Sequence, residues 1–342
     1  AILFVLRPVA REIGLVDKPG GRKLHHGDVP IVGGVAMFTG LFFSAMTGPT
    51  LTRNAQVILS MAGLMVLVGI VDDRFDLRPS VRLLSHLAAA VVLVLGTGYS
   101  VESFGAILGF MDVDLGFAAV PFTIVACVAL VNACNMLDGM DGLAGGTSIV
   151  AFAALATVTA TSVSVPPIIS ASMLGAIAAF LVVNLPAKFN RPVRTFMGDA
   201  GSTLLGFTLA AVSLILVQPD KANMPPAYVL WFVAIPIFEL FTTTFRRLLR
   251  GQSPLFADNG HFHHTLLEAG FSVRLIFFIY LVVSVFCAGL GLVAYFKRTP
   301  EWQLFFGFVA LYAAWLLFIW KSPAIGARLP GRMRREIDNL HL

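Results

Sequence analysis

The chain alternates between long apolar runs and short polar connections, and within the runs apolar and polar positions do not alternate. Unbroken apolar stretches of about 20 residues are what a membrane-crossing helix needs. Eleven spans are predicted, at about 1–10, 31–48, 55–71, 83–99, 117–133, 144–162, 167–185, 200–217, 226–245, 273–296 and 302–320. The first reads as half a span, a helix missing its start, because Ala1-Ile-Leu-Phe-Val-Leu6 runs straight into Arg7. Only helices and closed barrels satisfy their backbone inside lipid, and a barrel strand would show period two. The expectation is an all-α polytopic integral membrane protein with a single transmembrane domain over 1–342.

Composition agrees. Hydrophobic residues make up 57% of the chain and charged ones 13%, with a mean hydropathy of +0.85. A soluble domain is nearer to one quarter charged. The net charge of +5 is unevenly placed. Connections 11–30, 72–82, 186–199 and 246–272 and the tail 321–342, with Arg7 and Arg274, hold 20 of the 24 Lys and Arg residues. The positive-inside rule puts this set, including the loop 246–272 and the basic tail, in the cytoplasm. The charge therefore suits a membrane surface, not nucleic acid. Cys127, Cys134 and Cys287 lie in or beside apolar runs without metal or disulfide spacing, so they read as packing residues.

The acids share the basic face. Asp72, Asp73, Asp76, Asp138, Asp141, Asp199 and Asp258 all fall there, as do six of the seven histidines. Acids kept at membrane depth are costly, which points to one assembled site. Asn132, Asn135 and Asp138 are spaced three apart, so on a helix they point roughly one way. A polar helix end in an interfacial loop is the plainer reading. The pair Asp72-Asp73 suits a divalent cation or a proton acceptor, and Arg74, Arg78 and Arg82 beside it suit phosphate or simple charge pairing. Asp199, between glycines at a helix start, reads as a helix cap or a Mg²⁺ ligand. Arg22 and Lys23 in the first loop suit phosphate. His261, His263 and His264 fit a zinc site or a phosphate site with Arg246, Arg247 and Arg250. Phosphate is preferred, because no cysteine or HExxH pattern supports zinc. Glu239, three residues after Pro236 inside a span, reads first as a structural group in a bent helix.

Five stretches in order resemble the polyprenyl-phosphate N-acetylhexosamine-1-phosphate transferase family: Arg22-Lys-Leu-His25 with Pro30 to Gly34; Asp72-Asp-Arg-Phe-Asp76; Asn132 to Leu143; Met197-Gly-Asp-Ala-Gly-Ser202; and Ser253-Pro254 with His261-Phe-His-His264. The resemblance covers nearly the whole chain. It implies transfer of a UDP-linked N-acetylhexosamine 1-phosphate to undecaprenyl phosphate in the bacterial inner membrane, with UMP released, as the first step of a cell-envelope polysaccharide. GlcNAc-1-phosphate is the first choice of cargo, with another UDP-N-acetylhexosamine or phospho-MurNAc-pentapeptide as alternatives. Phe262 and Asp258-Asn-Gly-His261 depart from the pattern in that family and bear on sugar choice. Carried over by position, Asp199 and Asn135 hold Mg²⁺, for which Mn²⁺ can substitute, and Asp138 supports that site. Asp141 hydrogen-bonds the uracil, and Asn132 is a further substrate-binding group. Lys23, Asp72 and Asp73 stand beside the lipid phosphate. Arg82, Arg247, Arg250, His261, His263 and His264 contact phosphates. A homodimer is left open. Other classes are weighed against this. A transporter would hold its charges near the midplane. An aspartyl protease would leave Asp72-Asp73 unexplained, and a CDP-alcohol phosphotransferase would need a DGxxAR run that is absent from the sequence.

Overall fold

The computed structural model describes residues 2–17, 27–47, 51–161, 168–185, 195–218, 224–252 and 262–328. In chain order these form α1 (Ile2–Glu12), β1 (Val16–Asp17), β2 (Val29–Pro30), α2 (Gly33–Met46), α3 (Arg53–Phe75), α4 (Pro79–Thr97), α5 (Ala119–Leu137), α6 (Leu143–Thr161), α7 (Ile168–Asn184), α8 (Gly198–Leu216), α9 (Pro226–Phe232), α10 (Ala234–Leu249), α11 (Phe262–Glu268), α12 (Val273–Lys297) and α13 (Glu301–Gly326). The only β pairing of named strands among the described residues is the short antiparallel β1–β2 ladder, Val16 opposite Pro30. The all-α polytopic expectation holds. Among the described residues seven helices are long and apolar enough to cross a membrane, and α9 with α10 makes an eighth if the bent pair is one span. The apolar helices α2 and α7 are shorter, and α1 has 11 residues.

Several boundaries differ from the sequence reading, among them α3, which runs on to Phe75 and so makes Asp72 and Asp73 helical, and α13, which runs on to Gly326. The fifth span continues to Leu137, so Asn132 and Asn135 are helical and Asp138 is the C-cap. The predicted bend near Pro236 is an 86° break at Val233. A proline at 236 has no N–H to return to the carbonyl of Phe232, so the α9 ladder stops there and a new helix begins.

Helix α8 is the axis of the bundle. It is buried along almost its whole length, while α13 is mostly exposed on its outer faces. Glycines let its neighbours approach closely. A Cβ on Gly34 of α2 would overlap the backbone at Ala200 and Gly201, one on Gly69 of α3 would overlap it at Asp199 and Ala200, and one on Gly206 would meet Val131 of α5. Small residues at crossings are how helices gain packing within lipid, where apolar burial alone gives no advantage. Two backbone bonds then fix the starts of α2 and α8 side by side: Gly33 N–H to the Phe196 carbonyl (3.0 Å) and Gly34 N–H to Met197 (3.1 Å). Thr195 adds a hydroxyl bond to the Pro30 carbonyl at 2.8 Å. The ends of α3, α5 and α8 are thereby brought together, and each ends or begins with an acid.

Candidate active site

Helix α3 stops where Asp76 turns into the left-handed region (φ 50°) and its N–H closes on the Asp72 carbonyl. That leaves Asp72 and Asp73 in the last turn. Asp72 is buried. One of its oxygens accepts the Leu77 N–H at 2.8 Å, and the other lies 3.2 Å from Arg82 of α4. The same Arg82 nitrogen is 3.9 Å from Asp199, so one guanidinium serves two acids. Asp73 reaches across to α8. Its carboxylate accepts the Asp199 N–H at 2.8 Å and the Ala200 N–H at 3.3 Å, which makes it the cap of a helix in another part of the chain. Gly198 permits this. It sits at φ +71°, and a Cβ there would run into Ile31 and both Asp73 oxygens.

From the α5 side, Asn135 donates its amide to the Asp199 carboxylate and to the Ser202 hydroxyl (3.0 Å). Asp138 follows at the C-cap. Burial, and then the charges of Asp199, Asp73 and Asp141, push its carboxyl well above the ordinary carboxylate range. Among the described residues no three His, Cys, Asp or Glu side chains form a complete cage. Magnesium does not need one: it takes oxygen ligands, commonly one or two carboxylates with substrate phosphates and water. Asp199 offers carboxylate oxygens of the kind that ion takes, and Asn135 would add its amide oxygen once the amide that now donates to Asp199 is turned over.

Other expected residues are placed less centrally. Asn132 gives its amide to the Val128 carbonyl of its own helix at 2.8 Å. Asp141 is exposed in the turn between α5 and α6. Arg247 is buried in the last turn of α10, and Arg250 is its exposed C-cap. His263 is fully buried, its ring centre 4.4 Å from that of His264 and tilted 40° to it. Lys23 and His261 lie outside the described residues. The sequence reading passed over Ser202 as a site group, and it passed over His86. His86 is buried one turn beyond Arg82, its Nδ1 has no hydrogen-bond partner among the described residues, and it lies within the fields of Arg82 and Asp199. A polar residue four positions after an arginine in an apolar helix was the available signal.

Fold and site together define a polytopic membrane enzyme with an acidic, oxygen-donor centre at one end of its bundle. Comparison with known proteins makes this specific. A model of glycosyl transferase family 4 matches residues 55–217. Proteins named undecaprenyl-phosphate alpha-N-acetylglucosaminyl 1-phosphate transferase are similar over almost the whole chain. That of Escherichia coli K12 is 35% identical, the match covering 98% of this chain and 92% of the relative. That of Yersinia pestis is 35% identical over 100% and 94%, and that of Haemophilus influenzae 35% over 99% and 95%. The chain belongs to glycosyl transferase family 4, and the resemblance read from its motifs is borne out.

Proposed function

We propose that this protein transfers GlcNAc-1-phosphate from UDP-GlcNAc to undecaprenyl phosphate, giving undecaprenyl-pyrophosphoryl-GlcNAc and UMP. The observation that carries the reading is the end-to-end likeness to enzymes of that name. The meeting of Asp72, Asp73, Asp199 and Arg82 at one end of the bundle supports it. A phosphate oxygen of the lipid attacks the sugar-linked β-phosphorus. The bond from that phosphorus to the oxygen bridging it to the α-phosphorus breaks, and UMP leaves with that oxygen.

The chain's residues position and neutralise in this scheme. A phosphate monoester has a second pKa of about 6, so the lipid nucleophile needs little help to ionise. Both Asp73 oxygens already receive N–H groups, and both Asp72 oxygens have partners, which suits fixed orientation better than proton abstraction. Direct single displacement follows, without a phospho-aspartyl intermediate. Arg82 would donate to a phosphate oxygen on leaving its loose contact with Asp199. Asp199 and Asn135 would hold Mg²⁺, with Asp138 supporting that site, and the ion would supply neutralisation of the pyrophosphate charge. Mn²⁺ is an expected substitute. Asp141, exposed beside this cluster, suits the uracil; Lys23, Arg247, Arg250 and the His261–His264 stretch suit phosphates.

The arrangement in the membrane is read from charge and length. Counting α1, α2 and α7 as spans, with α9 and α10 as one, gives eleven in a single domain. The Lys- and Arg-rich connections then lie in the cytoplasm of a bacterial inner membrane, with the active site, the loop 246–272 and the tail 321–342. That side supplies the nucleotide sugar, and the inner leaflet supplies the lipid. The test is UMP release in detergent from UDP-GlcNAc, undecaprenyl phosphate and Mg²⁺. Release that needs both lipid and metal supports the reading. Release only with another UDP-N-acetylhexosamine moves the sugar, and none with any UDP-sugar overturns the reaction.

A further inference from the structure

We propose that Glu239 is a positioning residue that seats α11 so that His263 rests on the Gly139 backbone beside the acidic turn, and that it thereby governs nucleotide-sugar binding. This rests on the transferase reading above. Glu239 lies in α10, just past the break, and is 1% exposed. A carboxylate this deep is costly unless its oxygens are satisfied. One oxygen accepts the N–H of Phe262, the first residue of α11, at 2.7 Å, and the other accepts the Tyr280 hydroxyl of α12 at 3.0 Å. The Nδ1 of His263 is 3.7 Å from the first oxygen. The Phe262 ring is held between Trp315 (4.7 Å) and Tyr280 (5.8 Å), so the start of α11 has little freedom. On the far side a Cβ at Gly139 would collide with His263 Nε2. The contacts therefore run from Tyr280 through Glu239 and α11 to a glycine that adjoins Asp138 and stands two residues from Asp141.

A leucine would fill much of the same space, so a role limited to packing or folding makes a different forecast. It would change the yield of folded protein and leave both KM values alone. For positioning, Glu239→Leu raises KM for UDP-GlcNAc about tenfold, the scale of one buried hydrogen bond to a charged acceptor, with KM for undecaprenyl phosphate unchanged. Glu239→Gln, which keeps an acceptor for the Phe262 N–H, recovers most of that loss. If Glu239→Leu does not fold, Tyr280→Phe carries the same KM test with a smaller rise. Unchanged KM for the nucleotide sugar, or equal shifts in both substrates, overturns the proposal. A second measurement needs no turnover. With Cys127, Cys134 and Cys287 replaced, Gly139→Cys and His263→Cys are bridged by a bimane cross-linker. The bridge forms with Glu239 present and falls several-fold on Glu239→Leu; a bridge indifferent to Glu239 overturns the proposal. A wild type that releases no UMP while its bridge depends on Glu239 sinks the transferase reading and leaves the seating of α11 standing.

Discussion

Asp73 and Glu239 make the same bond in different surroundings. Each is a carboxylate in one helix that accepts the first backbone N–H groups of another, Asp73 at α8 and Glu239 at α11. Asp73 is partly exposed and stands among Asp72, Asp138 and Asp199 with Arg82 nearby. Glu239 is closed in by Phe262, Tyr280 and, beyond them, Trp315. The bond alone therefore does not mark a site. What marks it is company: a capping acid among other acids leaves charge for a ligand to answer, whereas one among aromatic rings has nothing left to offer.

The largest expected effect separates the two ends of that comparison. Asp199→Asn removes a charge but keeps an oxygen to accept the Asn135 amide, so UMP release should fall by about 10²–10³, the size typical of losing one preorganised electrostatic group, with the thermal midpoint little moved. Removing metal with a chelator should stop release as completely, and added Mg²⁺ should restore it. A chelator-resistant activity would break the view of this end as a cation site. Next comes Gly198→Ala. A residue with a Cβ at φ +71° costs about 1–2 kcal/mol, and here it also pushes Asp73 off the α8 cap. Activity and midpoint should drop together, read by UMP release and thermal denaturation of the same preparation. Smaller again is Asp73→Ala, taken for stability alone: about 1 kcal/mol for a lost cap. If it moves activity no more than it moves stability, Asp73 is a helix cap and nothing more, and the contrast collapses.

Much of this was legible in the chain. The apolar runs named the helices, and the one-sided acids named the end of the bundle that matters. Asp72, Asp73, Asp199 and Asn135 meet as their spacing and resemblance suggested, because each sits at a helix end and those ends converge on α8. What could not be read is who faces whom. That Asp73 caps a helix more than a hundred residues away depends on Gly34 and Gly69 letting α2 and α3 close on α8, a matter of three-dimensional packing. The break at Val233 was expected nearer Pro236, because proline acts on the ladder behind it. The seating of His263 under Gly139 leaves no local pattern at all.

The smallest effect tests the same distinction within one helix. Asn132 and Asn135 are one turn apart on α5, and their spacing alone puts both in the site. Their partners differ. Asn135 bonds Asp199 and Ser202 of α8, whereas Asn132 bonds the Val128 carbonyl behind it. An amide already satisfied by its own helix has little to give a substrate, and its loss frees a carbonyl whose own helix bond remains. Asn132→Ala should therefore change kcat/KM by less than about threefold, under 1 kcal/mol, while Asn135→Ala costs at least one bond to a charged group, about tenfold or more. Equal losses in the two variants would mean that Asn132 turns to the substrate once it binds, and that the partner seen in the free enzyme does not decide which polar groups belong to the site.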